Sequence, residues 1–168
     1  MNKKNYEFRK LSKHYRKPVI DIFNYFIKNS FAAYPEKKVS YDFFNLFLQM
    51  AKGYPAVVVI DKNNRDKVVG FALMRAHSPM KTLARTAELT YFILPEHTGK
   101  GIGKKIIESF IRKARNQKID SLLAGISSLN EHSINFHKKM GFKRCGRFCR
   151  VGCKLGKDFD VVWMQKLL

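Results

Sequence analysis

Apolar and polar positions divide the first half of the chain into short elements. Residues 6–11 alternate apolar and charged side chains, which predicts a strand. From Pro18 the apolar residues recur at helical spacing, and proline suits a first helical turn. A second helix is predicted over 40–52, because Ser40 is a good N-cap residue. The apolar runs 56–60 and 68–74, separated by a polar turn, predict a hairpin.

The second half of the chain predicts four more strands and two more helices. Residues 86–94 predict a strand that Pro95 ends, and a glycine-rich turn follows it. An apolar stripe next predicts a long helix, formed by Ile102, Ile106, Ile107, Phe110, Ile111 and Ala114. Residues 122–126 predict a strand, 130–140 a helix that Gly141 ends, and the segments from 142 and over 160–167 two closing strands. The predicted order is therefore β-α-α-β-β-β-α-β-α-β-β.

The turn between the 86–94 strand and the long helix has the pattern Gly-x-Gly-x-Gly at residues 99–103. Glycines let backbone N–H groups converge on an anion, and a helix N-terminus adds partial positive charge. A Walker A loop needs Ser or Thr after Gly-Lys, and a dinucleotide fingerprint needs Gly-x-Gly-x-x-Gly, so both patterns fail here. A pyrophosphate turn for coenzyme A and a tight connection without a ligand remain the alternatives.

Composition favours one folded domain over residues 1–168. The chain is 45% hydrophobic and has 14 Phe, whereas disordered chains are poor in aromatic residues. No apolar run approaches the ~20 residues of a membrane-spanning helix, so we expect no membrane partner. There are 33 Lys+Arg against 13 Asp+Glu, a formal net charge of +20. Such a charge suits nucleic acid, an acidic small molecule or simple solubility, but its spread along the chain disfavours nucleic acid.

Three cysteines, an odd number, lie four residues apart: Cys145, Cys149 and Cys153. We expect reduced thiols in a cytoplasmic protein and not a disulfide framework. On a strand this spacing places them on one face in steps of ~13 Å, too far apart to bind one metal ion, so no metal site is expected. His97 and His132 are expected in surface loops and not as ligands.

Several segments together resemble a known family. Residues 95–103, PEHTGKGIG, resemble the acetyl-CoA loop of the GNAT superfamily of N-acetyltransferases, and residues 130–142, NEHSINFHKKMGF, resemble its second signature. The stretches 22–30, 124–126 and 151–165 resemble the phosphinothricin N-acetyltransferase group, which also acts on methionine sulfoximine and related amines. The resemblance covers nearly the whole chain and is strongest from residue 86 onward.

The resemblance implies a fold and a co-substrate. The fold would be a single α/β (α+β) GNAT-type domain, with a mixed, mostly antiparallel twisted sheet of about seven strands and about four helices. The co-substrate would be acetyl-CoA. Its pantetheine would pair with the backbone of Tyr91, Phe92 and Ile93, where one N–H would bind the oxyanion. Asn130 would contact pantetheine as well as cap the last helix. The turn residues that would bind the pyrophosphate are Gly99, Lys100, Gly101, Ile102, Gly103 and Lys104.

Two side chains are candidates for the chemistry. Glu88 is the only acid of its strand, where burial would raise its pKa toward that of a useful base, although a surface ion pair is the simpler interpretation. In the resembling group, a Glu at this strand position deprotonates the substrate ammonium, directly or through water. His137 shares a helix face with Ile134, so a core histidine is one interpretation. The resembling group has His there, where the superfamily usually has a Tyr that protonates the leaving thiolate.

The resemblance points to a small amino-acid-like amine as the acceptor of the acetyl group. Arg85, before the 86–94 strand, is a candidate contact for its anionic head, and Tyr34 lies in a segment expected to border it. The first rival function keeps the fold but acetylates a protein N-terminus, a lysine or a polyamine. The second is a non-catalytic module that binds CoA or nucleic acid. We also expect a homodimer.

Overall fold

The computed structural model describes residues 5–168, so the first four residues of the predicted domain lie outside it. Its helices are α1 Arg16–Asn29, α2 Phe44–Met50, α3 Ile102–Asn116 and α4 Glu131–Lys139. Its strands are β1 Tyr6–Lys10, β2 Ala56–Asp61, β3 Lys67–Ala76, β4 Thr86–Ile93, β5 Ser121–Ser127, β6 Lys143–Lys154 and β7 Lys157–Leu167. This order along the chain confirms the order predicted from the sequence.

All seven strands form one sheet, in the order β1-β2-β3-β4-β5-β7-β6. Only β4 and β5 pair in parallel; the other neighbouring strands pair antiparallel. The parallel pairing covers only Thr86–Glu88 of β4, against residues 121–123 of β5. Beyond Glu88 the two strands separate, while β4 remains paired with β3 as far as Ile93. A cleft therefore opens in the middle of the sheet.

Apolar side chains fill both faces of the sheet, which makes a three-layer domain. One core cluster joins α1 and α2 to the sheet and includes Phe23, Phe47 and Phe92. The other joins α3 and α4 to the opposite face and includes Phe110 and Leu89. Because successive strand residues point to opposite faces, β4 contributes to both layers. The domain is thus a mixed, mostly antiparallel α/β sheet with four helices among the described residues, as the resemblance implied.

Three local details differ from the sequence predictions. The second helix begins with a 3₁₀ turn at Tyr41–Phe43, and Ser40 makes no side-chain capping bond. In β6, register shifts between Arg144 and Gly146 and between Phe148 and Gly152 interrupt the alternation on which the one-face arrangement of the cysteines depended. All three cysteines are exposed with free thiols.

No helix between residues 5 and 168 has the length and apolar character needed to cross a membrane.

Candidate active site

The cleft between β4 and β5 joins two cavities, which share Ala32, Tyr91, Phe92, Asn130 and Ser133 in their linings. One cavity, of about 390 Å³, extends from the cleft to the turn before α3, and we call it the glycine groove. The other, of about 380 Å³, contains Glu88, and we call it the Glu88 cavity. Because β4 has no strand partner along this edge beyond Glu88 within the described part of the chain, backbone groups of β4 can pair there with an extended ligand.

The glycine groove has the backbone geometry of an anion site. Gly99 and Gly101 have φ of 69° and 79°, in the left-handed region that glycine adopts without strain, and Gly101 is the N-cap of α3. The first N–H groups of a helix have no helical partner, so those of α3 are available to a phosphate. A Cβ at Gly103 would lie 2.9 Å from Cζ of Phe136, so this glycine allows α4 to pack closely on α3.

Most of the residues predicted to bind the co-substrate lie around this groove. Those that line it are Tyr91, Phe92, Ile93, Gly99, Gly101, Ile102, Gly103, Lys104 and Asn130. Lys100 is the exception, because its ammonium donates to the backbone carbonyl of Glu96. Asn130 caps α4, since its Oδ1 accepts from the N–H of Ser133 at 3.3 Å.

The groove also contains residues that the sequence analysis did not select. Lys139 at the end of α4 brings a second ammonium group to a lining that already has Lys104, and Phe136 supplies an aromatic wall. Both residues belong to the second family signature, residues 130–142, so the sequence contained a signal for them. Only the packing of α4 against α3 shows that they reach the groove. His97 corrects an expectation: it lies buried in the groove wall and not in a surface loop, with Nδ1 2.9 Å from the hydroxyl of Tyr6. Burial lowers the pKa of His97, and the nearby charge of Lys100 adds to the effect.

Glu88 lies in the wall of its cavity and is 7% exposed. Its carboxylate forms an ion pair with the guanidinium of Arg75, the residue directly opposite on β3. His77 approaches the other carboxylate oxygen, with 2.8 Å between Nδ1 and Oε1. The surface ion pair considered from the sequence is therefore a mostly buried pair inside a cavity. Neither Arg75 nor His77 could be selected without the register of β3 against β4.

Aromatic and aliphatic side chains form most of the remaining wall of the Glu88 cavity, including Phe23, Phe43, Leu46, Phe47, Met50 and Trp163. Two buried donors, Nε of Arg75 and Nε1 of Trp163, have no hydrogen-bond partner among residues 5–168. The cavity thus combines one pair of opposite charges, spare donors and an apolar wall. Such an arrangement suits a small molecule with a charged head and an apolar side chain.

Tyr34 and Arg85, the two predicted substrate contacts, lie in different places. Tyr34 lines the Glu88 cavity, where it stacks on Phe159 and its hydroxyl donates to the Gly125 carbonyl at 3.3 Å. Its loop is held by the buried ammonium of Lys154, which donates to the carbonyls of residues 30 and 33 at 2.8 and 2.6 Å. Arg85 lines neither cavity; it is exposed and forms an ion pair with Asp120.

His137 is 2% exposed and lies on α4 on the same side of the sheet as Tyr91. Its Nδ1 is 2.8 Å from the carbonyl oxygen of Ser133, and its Nε2 is 3.1 Å from the hydroxyl of Tyr91. Burial lowers the pKa of His137, although the bond to the Ser133 carbonyl opposes the shift. Burial also raises the pKa of Tyr91 well above its usual range. The imidazole and the phenol are therefore both held in their neutral forms.

Comparisons with known proteins identify the family. Residues 19–142 match the Acetyltransferase (GNAT) family. An L-methionine sulfoximine/L-methionine sulfone acetyltransferase of Pseudomonas aeruginosa is 32% identical over 114 residues, which are 68% of this chain and 65% of that protein. This chain thus spans slightly less than two thirds of that relative's length.

Solved structures match over nearly the whole chain. A phosphinothricin acetyltransferase of Sinorhizobium meliloti in complex with acetyl-CoA superposes with a TM-score of 0.89 at 26% identity, over 97% of this chain and 88% of that one. A ribosomal-protein-alanine N-acetyltransferase of Brucella melitensis gives a TM-score of 0.87 at 29% identity, over 96% and 99% of the two chains. Because the family match covers residues 19–142, most of this chain, the protein belongs to the acetyltransferase (GNAT) family.

Proposed function

We propose that this protein transfers the acetyl group of acetyl-CoA to the α-amino group of a small amino acid with an apolar or sulfone-like side chain. The observation that carries the proposal is the ion pair of the half-buried Arg75 with the buried Glu88, at the mouth of the split between β4 and β5. Family membership and the Pseudomonas relative named for methionine sulfoximine and methionine sulfone support it.

The glycine groove fits acetyl-CoA by its own chemistry. Backbone N–H groups at the start of α3, with Lys104 and Lys139 nearby, suit a pyrophosphate. The free edge of β4 from Leu89 to Ile93 suits the amides of pantetheine, as an added strand would. A backbone N–H on that edge is our candidate to bind the oxygen of the thioester carbonyl as negative charge develops on it.

Glu88 is our candidate general base. Its carboxylate accepts a proton from the substrate ammonium, and the free amine then attacks the thioester carbon without a covalent enzyme intermediate. Arg75 and His77 hold the carboxylate from two sides and fix its direction before substrate arrives. The product is an amide, and the sulfur of coenzyme A leaves as a thiolate that takes up a proton.

In this proposal, Arg75 gives the site a preference for zwitterions over simple amines. An α-amino acid carries a carboxylate and an ammonium on the same carbon. It can therefore lie with its carboxylate against Arg75 and its ammonium against Glu88, so that each side chain keeps a partner of opposite charge. Arg75 keeps donors for this second carboxylate, because it donates to Glu88 through Nη2 and its side chain is 36% exposed. The apolar wall of the Glu88 cavity then receives the side chain.

A panel of amines tests the proposal by release of the coenzyme A thiol. We expect turnover of L-methionine sulfone, L-methionine sulfoximine or phosphinothricin. We expect kcat/KM at least ~10-fold lower for 3-(methylsulfonyl)propylamine, which is methionine sulfone without its carboxylate. A peptide that begins with alanine and spermidine complete the panel, because the Brucella neighbour is named for a protein substrate. Turnover of the peptide or spermidine alone would refute the amino-acid proposal.

Arginine variants refine the same test. Arg75→Met should raise KM for the amino acid about 10-fold or more and leave KM for the decarboxylated amine nearly unchanged. Arg85→Met distinguishes the two arginines, since it removes the contact suggested by the sequence. A rise in KM for the amino acid with Arg85→Met and not with Arg75→Met would show that Arg85, and not Arg75, binds the substrate carboxylate.

The homodimer and the cytoplasmic location stay predictions from the sequence.

A further inference from the structure

The hydrogen bonds around His137 fix its tautomer. The carbonyl oxygen of Ser133 can only accept, so Nδ1 of His137, 2.8 Å away, carries a proton. In the neutral imidazole Nε2 is then the acceptor, and the Tyr91 hydroxyl at 3.1 Å donates to it. Both ring nitrogens are thus engaged in a side chain that is 2% exposed. The Tyr91 hydroxyl at Nε2 therefore offers a path for a proton between His137 and the two cavities that Tyr91 lines.

Tyr91 lies where the glycine groove and the Glu88 cavity meet. It lines both the glycine groove and the Glu88 cavity, and its ring packs against Phe136 and His137 on α4. Glu88 and Tyr91, three positions apart on β4, point to opposite faces of the sheet. A thioester carbon in the cleft would thus have a carboxylate on one side and a phenol on the other.

We propose that Tyr91 and His137 form a two-way proton relay, in which Tyr91 contacts the reacting atoms and His137 stores the proton. The relay rests on the proposed acetyl transfer. After Glu88 has taken one proton from the ammonium and the amine has attacked, the nitrogen in the adduct still carries an excess proton. That proton moves to the oxygen of Tyr91, while the Tyr91 hydroxyl proton moves to Nε2 of His137.

The proton then returns to the leaving group. As the carbon–sulfur bond breaks, its electron pair stays on sulfur, which takes the hydroxyl proton of Tyr91. Nε2 of His137 gives its proton back to the Tyr91 oxygen at the same time, so no tyrosinate forms. The nitrogen loses two protons in becoming an amide; one leaves through Glu88 to solvent and the other ends on the thiol. Nitrogen and sulfur are bound to the same carbon in the adduct, so one hydroxyl can serve both.

The resting protonation state suits this cycle. Burial lowers the pKa of His137, which leaves the imidazole neutral at rest and makes its protonated form return the proton readily. Burial raises the pKa of Tyr91, which disfavours tyrosinate and favours a relay in which the phenol gains a proton as it loses one.

Tyr91→Phe tests the relay, because it removes the hydroxyl and keeps the ring that packs on α4. We expect kcat for any accepted amine to fall by about 10²-fold, with KM for acetyl-CoA changed less than about threefold. His137→Gln should lower kcat comparably, and the double variant should be no slower than Tyr91→Phe alone, because both residues act in one unit. Tyr25→Phe, the same deletion on an exposed residue of α1 outside both cavities, is the control.

A second measurement needs no amine. The thiol of bound coenzyme A is titrated by the ultraviolet absorbance of its thiolate. A hydroxyl donor on sulfur favours the thiolate, so Tyr91→Phe should raise the midpoint by about one pH unit relative to the wild type and Tyr25→Phe. Wild-type kcat and an unchanged midpoint in Tyr91→Phe would overturn the relay. So would a double variant in which the two losses multiply. Failure of the wild type to acetylate any amino acid would instead count against the proposed substrate, since the thiol titration does not depend on it.

Discussion

At the scale of single residues, the site depends on one cross-strand pair. Glu88 and Arg75 are directly opposite in the antiparallel ladder of β3 and β4, where side chains on the same face are close neighbours. The pair costs desolvation, but it gives the carboxylate a fixed position and leaves no uncompensated charge in the wall of the cavity. Under the proposed function, the substrate exchanges its own charges with those of the pair, and a molecule that has both signs is expected to bind best.

Glu88→Gln is the direct test of the general base. The substitution keeps the shape and removes the charge, so kcat at pH 7 should fall by about 10²-fold. The loss should shrink as pH rises, since solvent then supplies more of the free amine. Steady-state kinetics from pH 7 to pH 9.5 would measure both effects. Glu7→Gln on β1, which borders neither cavity, is the matched control, and full activity of Glu88→Gln at pH 7 would show that another group is the base.

At the scale of elements, the turn between β4 and α3 turns the chain so that a helix N-terminus faces the cleft. Gly101 carries the sharpest requirement, because it is the N-cap of α3 and has a φ of 79°. A side chain there is strained whatever space surrounds it, and β-branched residues tolerate this region least. The same geometry brings the first N–H groups of α3 toward the groove.

Gly101→Val should consequently raise KM for acetyl-CoA by about 10-fold, or ~1.4 kcal/mol of binding, and change KM for the amine far less. The chain offers a control with the same backbone strain elsewhere. Gly53, between α2 and β2, has a φ of 83° and no atom within 4 Å of an added Cβ. Gly53→Val should lower the free energy of unfolding about as much as Gly101→Val does, and it should leave KM for acetyl-CoA unchanged. Equal changes in both KM values for a folded Gly101→Val would remove this turn from the co-substrate site.

At the scale of the whole molecule, buried histidines couple stability to pH. Burial lowers the pKa of both His97 and His137 in the folded state. As pH falls through ~6.5, the unfolded chain takes up these protons before the folded protein does. Stability that is fully present above that pH is then lost on the way down to the folded-state pKa, by up to ~1.4 kcal/mol per pH unit for each histidine.

Urea unfolding between pH 8 and pH 5 would measure this dependence. We expect the midpoint to be nearly constant above about pH 7 and to fall steadily below ~6.5, before the carboxylates titrate. His137→Gln should make the decline shallower, because one of the two protons is no longer bound on unfolding. His14→Gln, on an exposed histidine, should leave the slope as it is in the wild type. A slope that His137→Gln does not change would mean that other groups carry the effect.

The amino-acid sequence alone determined the types and order of the elements and the turn that begins α3. Period-two and helical apolar patterns are local, so they predict the strands and the amphipathic stripe of α3 without knowledge of the fold. The positive φ of Gly101 and the C′ position of Gly141 follow from the backbone freedom of glycine in the same local way. The family resemblance, and not the local patterns, predicted that the strands form one mixed sheet and that the turn before α3 binds acetyl-CoA.

Only the tertiary structure decided which side chains share the site. Arg75 meets Glu88 through strand register, Tyr91 meets His137 across 46 positions of sequence, and Arg85 pairs with Asp120 instead of entering a cavity. The cleft itself exists because β4 and β5 pair over three residues and then separate. These features depend on which strands become neighbours and where their pairing stops. Such long-range contacts are set by the packing of both faces of the sheet. The apolar periodicity of a single segment contains no information about which other segment it will pair with.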